Sequence, residues 1–127
     1  MGRDSAKHDG WDTHPIDGFE VLVGHNAREN DRLTFKVAEP LDLWMHVAGT
    51  PGSHVVVRNP DRLATLPKRV VEGAAALAVR HSKAKNARGK VAVHTCRACD
   101  VRKRRGAPAG QVQLKRYDTV RVYGPGD

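Results

Sequence analysis

The sequence predicts a single α/β (α+β) domain built on a mixed, mostly antiparallel sheet with one main helix. A length of 127 residues fits one domain with a modest hydrophobic core. Short runs in which apolar and polar residues alternate, separated by turn residues, predict strands. Residues 67–83 carry the clearest helical pattern, because Val70, Ala74 and Leu77 recur with a 3.6-residue period after Pro67. The small side chains in this stretch let the helix lie close to a sheet.

The chain is organised around residues 42–58, whose pattern predicts a strand, a turn and a second strand. Pro51-Gly52 favours a turn, because proline fixes φ at the first central position and glycine supplies a positive φ at the second. Period-two alternation predicts that five residues face the core: Leu43, Met45, Val47, Val55 and Val57. The opposite face then collects five residues of another kind: Asp42, Trp44, His46, His54 and Arg58.

Two interpretations of this second face are open. A flat aromatic ring beside an arginine and imidazoles suits stacking on bases and pairing with phosphates. Alternatively, Trp44 belongs to the core, because large aromatic side chains are buried on average, and the histidines form local hydrogen bonds that stiffen the turn. Under the first interpretation Trp44 is a stacking platform on an open surface.

The flanking segments complete the predicted domain. Phe19–Gly24 predicts a first strand, and a shorter helix is expected near residues 26–38 with Asn26 as its cap, although the apolar spacing there also fits a strand. Residues 1–17 are polar and are expected to form a flexible arm, so that the domain covers residues 18–125. Towards the C-terminus three strands are predicted, the last two as a closing hairpin: residues 91–95, Gln111–Leu114 and Thr119–Tyr123.

Positive charge is concentrated in the second half of the chain. The net charge is +8, with −3 in residues 1–66 and +11 in residues 67–127. A basic half of this kind favours a polyanionic partner, although basic surface also serves solubility. Eight residues are predicted to contact phosphates: Arg80, Lys83, Lys85, Arg88, Arg102, Lys103, Arg104 and Arg105. The sequence has neither an apolar run of membrane-spanning length nor the apolar stretch of a signal peptide at its start, and we expect a cytoplasmic protein.

The pair Cys96-x-x-Cys99 allows three interpretations. It is half of a zinc site with His94 and His81 as partners, a redox pair, or two ordinary reduced cysteines. A structural zinc site usually shows two ligand pairs, and here the second pair is only scattered histidines. We therefore expect neither a metal nor a cofactor.

Catalysis is a competing hypothesis. Residues near the central turn include the types found in a hydrolase triad: Asp42, His46, Ser53 and His54. The sequence contains no Gly-x-Ser-x-Gly and no glycine-rich phosphate loop. Metal-dependent or acid–base cleavage of RNA by the aspartate and the two histidines is the alternative function, and we expect a protein that is not an enzyme.

Several motifs occur in one characteristic order. They are FEVLVGHNAR at residues 19–28, Asp-x-Trp-x-His at residues 42–46, Pro-Gly-Ser-His at residues 51–54, and AAALA followed by His81-Ser82. In this order the chain resembles the NFACT RNA-binding domain over roughly residues 18–125. The most specific part is the Asp-x-Trp-x-His motif followed by Pro-Gly-Ser-His.

The resemblance implies an α/β or α+β fold and binding to RNA, either tRNA or RNA of the large ribosomal subunit. It places the family's motif residues at Asp42, Trp44, His46, Ser53 and His54. Proteins of this family act in ribosome-associated quality control and support tailing of the nascent chain. Their N-terminal domain, helix-hairpin-helix segment and coiled coil have no counterpart in these residues, so the tailing activity is not implied. An adaptor that binds proteins on the ribosome is a third hypothesis.

Overall fold

The structure, a computed structural model, describes residues 11–125. Within this range lie two α-helices, α1 (Ala27–Arg32) and α2 (Lys68–Arg80). A π-helical turn (Leu33–Val37) continues α1, and a 3₁₀ turn (Ala98–Asp100) follows the fifth strand. The strands of the same range are β1 (Trp11–Ile16), β2 (Phe19–Gly24), β3 (Leu43–Val47), β4 (Val55–Val57), β5 (Val91–Arg97), β6 (Val101–Arg102), β7 (Gln113–Leu114) and β8 (Asp118–Val122).

Six strands form one antiparallel sheet in the order β1-β2-β4-β3-β5-β8, and β6 pairs with β7 in a separate ribbon. The α+β class and both helices are confirmed. Asn26 caps α1 as predicted, because its side chain accepts a hydrogen bond of 2.9 Å from the Glu29 amide. Among the described residues, no helix is long and apolar enough to cross a membrane.

The face of the sheet beneath α2 carries the main core. Met45, Val47, Val55 and Val57 are each at most 1% exposed, and Leu43 packs against the same cluster. The alternation therefore assigned this face correctly. On the helix, small buried residues face the sheet, as the sequence predicts: Val70, Ala74, Ala75 and Ala78.

A second layer covers the opposite face of the sheet. Side chains from the sheet, the π-helical turn and β6 form a second buried cluster: Leu22, Leu33, Trp44, Val56, Cys96 and Val101. An open face with Trp44 as a surface platform was therefore the wrong interpretation. A period of two separates the two faces of a strand, but it contains no information about which face another element covers.

The loop between β3 and β4 differs from the predicted tight turn. Gly49, with φ of +73°, has the left-handed conformation, whereas Gly52 does not. Gly52 is needed for space, since a Cβ atom there would lie 2.7 Å from Cβ of Ser82. The Ser53 amide donates to the His81 carbonyl at 3.0 Å, and the Lys83 amide donates to the Pro51 carbonyl at 3.0 Å. The loop is thus fixed to the end of α2.

Two predictions about the ends of the domain need correction. Trp11–Ile16, placed in the arm by its polar composition, pairs with β2 along its full length, so ordered structure begins before residue 18. The remaining part of the predicted arm, residues 1–10, lies outside the described residues. The closing hairpin is absent from the described structure, because Gln113–Leu114 pairs with β6 and Asp118–Val122 pairs with β5. Neighbouring strand patterns do not specify their partners.

Candidate nucleic-acid interface

A groove of about 1170 Å³ lies where the second layer meets the end of α2. Trp44, His46 and His94 contribute to its lining from the central strands. Its walls come from four segments brought together by the fold: residues 25–27 at the start of α1, residues 49–53, residues 80–85 at the end of α2, and residues 108–112. Arg80, Lys83 and Lys85 are exposed and lie in one of these walls, and we call these three residues the basic rim.

The groove is rich in histidine. His46 on β3 lies directly opposite His94 on β5, and both line the groove. Burial, and then the charge of His94, lowers the pKa of His46 below its usual value. Burial, and then the charge of His14, lowers the pKa of His81. At neutral pH the positive charge of the groove therefore comes from the basic rim rather than from His46 or His81.

His54 lies in a directional chain of hydrogen bonds. The Trp44 indole N–H donates to Thr34 Oγ1 at 3.0 Å, and Thr34 Oγ1 lies 2.8 Å from His54 Nδ1. His54 Nε2 lies 3.2 Å from the Gly110 carbonyl, which can only accept. The network is satisfied by a neutral imidazole that carries its proton on Nε2 and accepts the Thr34 hydroxyl proton on Nδ1. In agreement, burial and then the charge of His46 lower the pKa of His54 to about 4.

Asp42 and Arg58 form a buried anchor rather than an exposed binding pair. The Asp42 side chain is 2% exposed, and its carboxylate lies 2.9 Å from Arg58 Nε. The same carboxylate accepts hydrogen bonds from the Glu39 amide at 2.9 Å and the Asn59 amide at 2.8 Å. All of these contacts hold the ends of the central strands and give Asp42 a structural position, so its predicted contact with RNA stays a prediction.

The basic residues divide into three groups. The basic rim lies at the groove. Lys103 instead has a structural position, because its Nζ lies 2.9 Å from Asp31 Oδ2 and donates to the Gln111 carbonyl at 3.0 Å and to the Pro108 carbonyl. The remaining predicted phosphate contacts are exposed but do not line the groove: Arg88, Arg102, Arg104 and Arg105.

Comparison with known proteins identifies the domain. The family model of the NFACT protein RNA binding domain matches residues 11–116. The chain belongs to this family. A solved structure, the C-terminal part of the fibronectin/fibrinogen-binding protein from Streptococcus suis (FBPS), superposes on this NFACT RNA-binding domain with a TM-score of 0.83 at 32% identity, covering 97% of this chain and 48% of that one.

Two curated relatives of this NFACT RNA-binding domain carry the name Rqc2 homolog RqcH. The protein from Bacillus subtilis (strain 168) is 38% identical over 107 residues, and that from Streptococcus suis (strain 05ZYH33) is 39% identical over 102 residues. The alignments cover 83% and 80% of this chain. The domain corresponds to 18% of the length of each of these relatives.

The motif residues of this NFACT RNA-binding domain shape the groove from within. Trp44 and His54 are each 1% exposed. Ser53 Oγ donates to the Gly24 carbonyl at 2.5 Å, and the His54 amide donates to Asn30 Oδ1 at 3.1 Å. Because these bonds join β2, α1 and the β3–β4 loop, the motif fixes the walls, and its residues His46 and Ser53 are half-buried.

Several groove residues of the NFACT RNA-binding domain were missed from the sequence. His25, His81 and His94 line the groove although they are far apart in the chain. Their convergence depends on the contact of the β3–β4 loop with α2 and on the β3–β5 pairing. The sequence contained one signal for His81: the His81-Ser82 pair belongs to the motifs of the family and lies at the end of α2.

Cys96 and Cys99 of the NFACT RNA-binding domain have different environments. Cys96 is buried in the second cluster, and burial, followed by the charge of Asp100, raises its pKa to about 12, whereas Cys99 is exposed. A thiol with a raised pKa is a poor redox nucleophile. Across residues 11–125, no group of three or more His, Cys, Asp or Glu side chains is placed to hold a metal ion. The expectation that the domain carries no metal or cofactor stays a prediction.

The stability of the NFACT RNA-binding domain should fall in mild acid. His54 has a pKa of about 4 when folded and about 6.5 when unfolded. The contribution of neutral His54 to the free energy of unfolding is therefore complete above pH 6.5 and is lost as the pH falls towards 4. The lowered pKa of His46 also makes stability fall as the pH falls. We expect His54 to account for roughly 2–3 kcal/mol between pH 7 and about 4.5, measured by denaturant unfolding at each pH.

The variant His54→Gln is the control for this prediction. It has no group that titrates at this position, so its unfolding free energy should change less with pH than that of the wild type. Equal pH dependence in the two proteins would show that His54 titrates normally and would contradict the buried neutral imidazole.

Proposed function

We propose that this domain binds RNA in ribosome-associated quality control, with tRNA or RNA of the large ribosomal subunit as the ligand, and that the groove and its basic rim are the interface. The observation that carries the proposal is the basic rim on a groove in a member of an RNA-binding family. Three flexible cations beside a groove are suited to follow a phosphate backbone. The names of the RqcH relatives support the cellular process, and on this basis we propose that the protein works in the cytoplasm.

Binding without catalysis is the activity that the geometry favours. Both ring nitrogens of His54 have partners in Thr34 and the Gly110 carbonyl, and Ser53 Oγ donates to the Gly24 carbonyl. The Asp42 carboxylate is occupied by Arg58 and two backbone amides. A general base needs a lone pair within reach of its substrate, whereas the Nδ1 lone pair of His54 accepts the Thr34 hydroxyl and the Asp42 side chain is only 2% exposed. This argument counts against the alternative of an RNA-cleaving enzyme.

The test is the salt dependence of RNA binding. A triple variant of the basic rim, Arg80→Ala, Lys83→Ala and Lys85→Ala, should bind tRNA more weakly than the wild type. The slope of log affinity against log salt concentration should flatten by about one unit for each phosphate that the variant no longer neutralises. Titrations of tRNA and of a large-subunit RNA fragment at several salt concentrations measure both quantities.

A second triple variant is the matched control, because it removes the same charge from exposed residues outside the groove: Arg102→Ala, Arg104→Ala and Arg105→Ala. It should change the slope less than the rim variant does. A larger effect in the control would move the interface to the loop after β6. Failure of the wild type to bind either RNA would contradict the proposed function itself.

A further inference from the structure

Tyr117 is an exposed aromatic residue whose ring contacts one of the side chains that line the groove. Tyr117 is 51% exposed, and its ring centroid lies 4.3 Å from that of His94, which lines the groove. The residue immediately precedes β8, whose residues Asp118 and Thr119 pair with Thr95 and His94 of β5. Tyr117 is therefore held against the groove by a strand that is part of the main sheet.

His94, whose ring contacts Tyr117, lies on a strand next to two further aromatic side chains. His94 lies opposite His46 in the β3–β5 pairing, and the His46 ring stacks on Trp44 with 6.1 Å between centroids and an interplanar angle of 21°. Trp44 is buried and hydrogen-bonded. The His94 ring gives Tyr117 a packed support, which is a suitable arrangement for a stacking platform because less side-chain freedom remains to be lost on binding.

Positive charge accompanies this ring. Lys115 and Arg116 precede Tyr117 and are exposed. Arg116 Nε lies 3.8 Å from Asp100 Oδ1, and the Arg116 side chain is 75% exposed. The basic rim lies elsewhere along the same groove, which also contains His94. An aromatic platform beside a positively charged groove is the arrangement by which single-stranded nucleic acid is bound.

We propose that the groove selects unpaired nucleotides, with one base stacked on the exposed face of Tyr117 and the neighbouring phosphates near Lys115, Arg116 and the basic rim. This inference rests on the RNA-binding function proposed above. Bases within an A-form duplex are stacked on each other, and proteins recognise such a duplex mainly by its shape, its phosphates and its 2′-hydroxyl groups. A tyrosine face contributes to affinity only where a base is free to leave that stack.

Tyr123 provides a matched control, because it is the other tyrosine of the chain and is also exposed, at 61%. Its ring centroid lies 5.6 Å from Nζ of Lys90, which does not line the groove, whereas Tyr117 contacts the groove residue His94. An aromatic effect that depends on the groove should therefore separate Tyr117 from Tyr123, whereas a general effect of surface aromatics should not.

The experiment compares a single-stranded RNA of about 12 nucleotides, within the site sizes known for such proteins, with a duplex of the same length. Tyr117→Ala should weaken binding of the single strand roughly 5- to 150-fold and leave binding of the duplex nearly unchanged. Tyr117→Phe should retain most of the affinity, since the ring still stacks, and Tyr123→Ala should bind both RNAs as the wild type does. Melting temperatures of all variants establish that they are folded.

A fluorescent base analogue, 2-aminopurine, gives an independent readout of stacking. Its emission in the single strand should be quenched on binding to the wild type and to Tyr117→Phe, but less by Tyr117→Ala at saturating protein. Equal losses for Tyr117→Ala and Tyr123→Ala, or equal losses with the single strand and the duplex, would overturn the inference while leaving RNA binding intact. If the wild type binds neither RNA, the proposed function fails as well.

Discussion

Trp44→Ala should lower the free energy of unfolding by roughly 3–5 kcal/mol, the range for deleting a large buried aromatic side chain. Trp44 is 1% exposed and packs with Leu22, Leu33 and Val56 in the second cluster. Removing the ring leaves a cavity there and also leaves Thr34 without the indole donor. Denaturant unfolding monitored by circular dichroism measures the loss.

RNA titration of the same variant, under conditions where it is folded, separates stability from binding. Affinity should stay close to that of the wild type, because the Trp44 ring has almost no surface to offer a base. Trp44→Phe is the companion variant: it keeps an aromatic ring but loses the hydrogen bond, and its destabilisation should be smaller. A Trp44→Ala protein with normal stability and greatly weakened RNA binding would contradict the buried position.

Asp42→Ala should destabilise the domain by roughly 2–4 kcal/mol, on the basis of about 1–3 kcal/mol for each buried donor that is left unsatisfied. The variant leaves the amides of Glu39 and Asn59 without their acceptor, and Arg58 without its partner. The Arg58 side chain is 30% exposed, so water compensates part of its loss. We therefore expect the unsatisfied amides to contribute most of the effect.

Arg58→Ala and the double variant complete a mutant cycle for Asp42. Arg58→Ala should cost less than Asp42→Ala, because it leaves both amide hydrogen bonds in place. The coupling between the two residues should be smaller than the total cost of Asp42→Ala. Thermal and denaturant unfolding of the four proteins measure the cycle. Equal losses of unfolding free energy in the two single variants would mean that the ion pair contributes more to stability than the amide hydrogen bonds.

Local patterns were sufficient for the elements of the main layer. The 3.6-residue period and small residues of Lys68–Arg80 predicted both the helix and its close packing, and the alternation around the β3–β4 loop assigned the core face. The second layer was not predictable in this way. It depends on the short β6–β7 ribbon, whose two-residue strands show no period, and on an α1 segment whose spacing fitted two structures.

The candidate site was only partly accessible to the same reasoning. The charge of the sequence indicated the residues of the basic rim, because lysines and arginines can be identified without knowledge of tertiary contacts. The sequence could not show that Lys103 is held by Asp31, because this ion pair joins residues 72 positions apart. The sequence also could not show that Trp44 and Asp42 are buried, because the layer that covers their face of the sheet is a tertiary feature.

The clamp made by Lys103 and Asp31 has a consequence for the kinetics of binding. Asp31 also accepts a hydrogen bond of 2.9 Å from the Gly110 amide, and Gly110 in turn holds His54, so residues 108–111 are fastened at several points. A wall fastened in this way has little conformational entropy left to lose when a ligand arrives. Encounter with RNA then requires no prior ordering of this wall, and the RNAs that the domain prefers should be distinguished mainly by how long they stay bound.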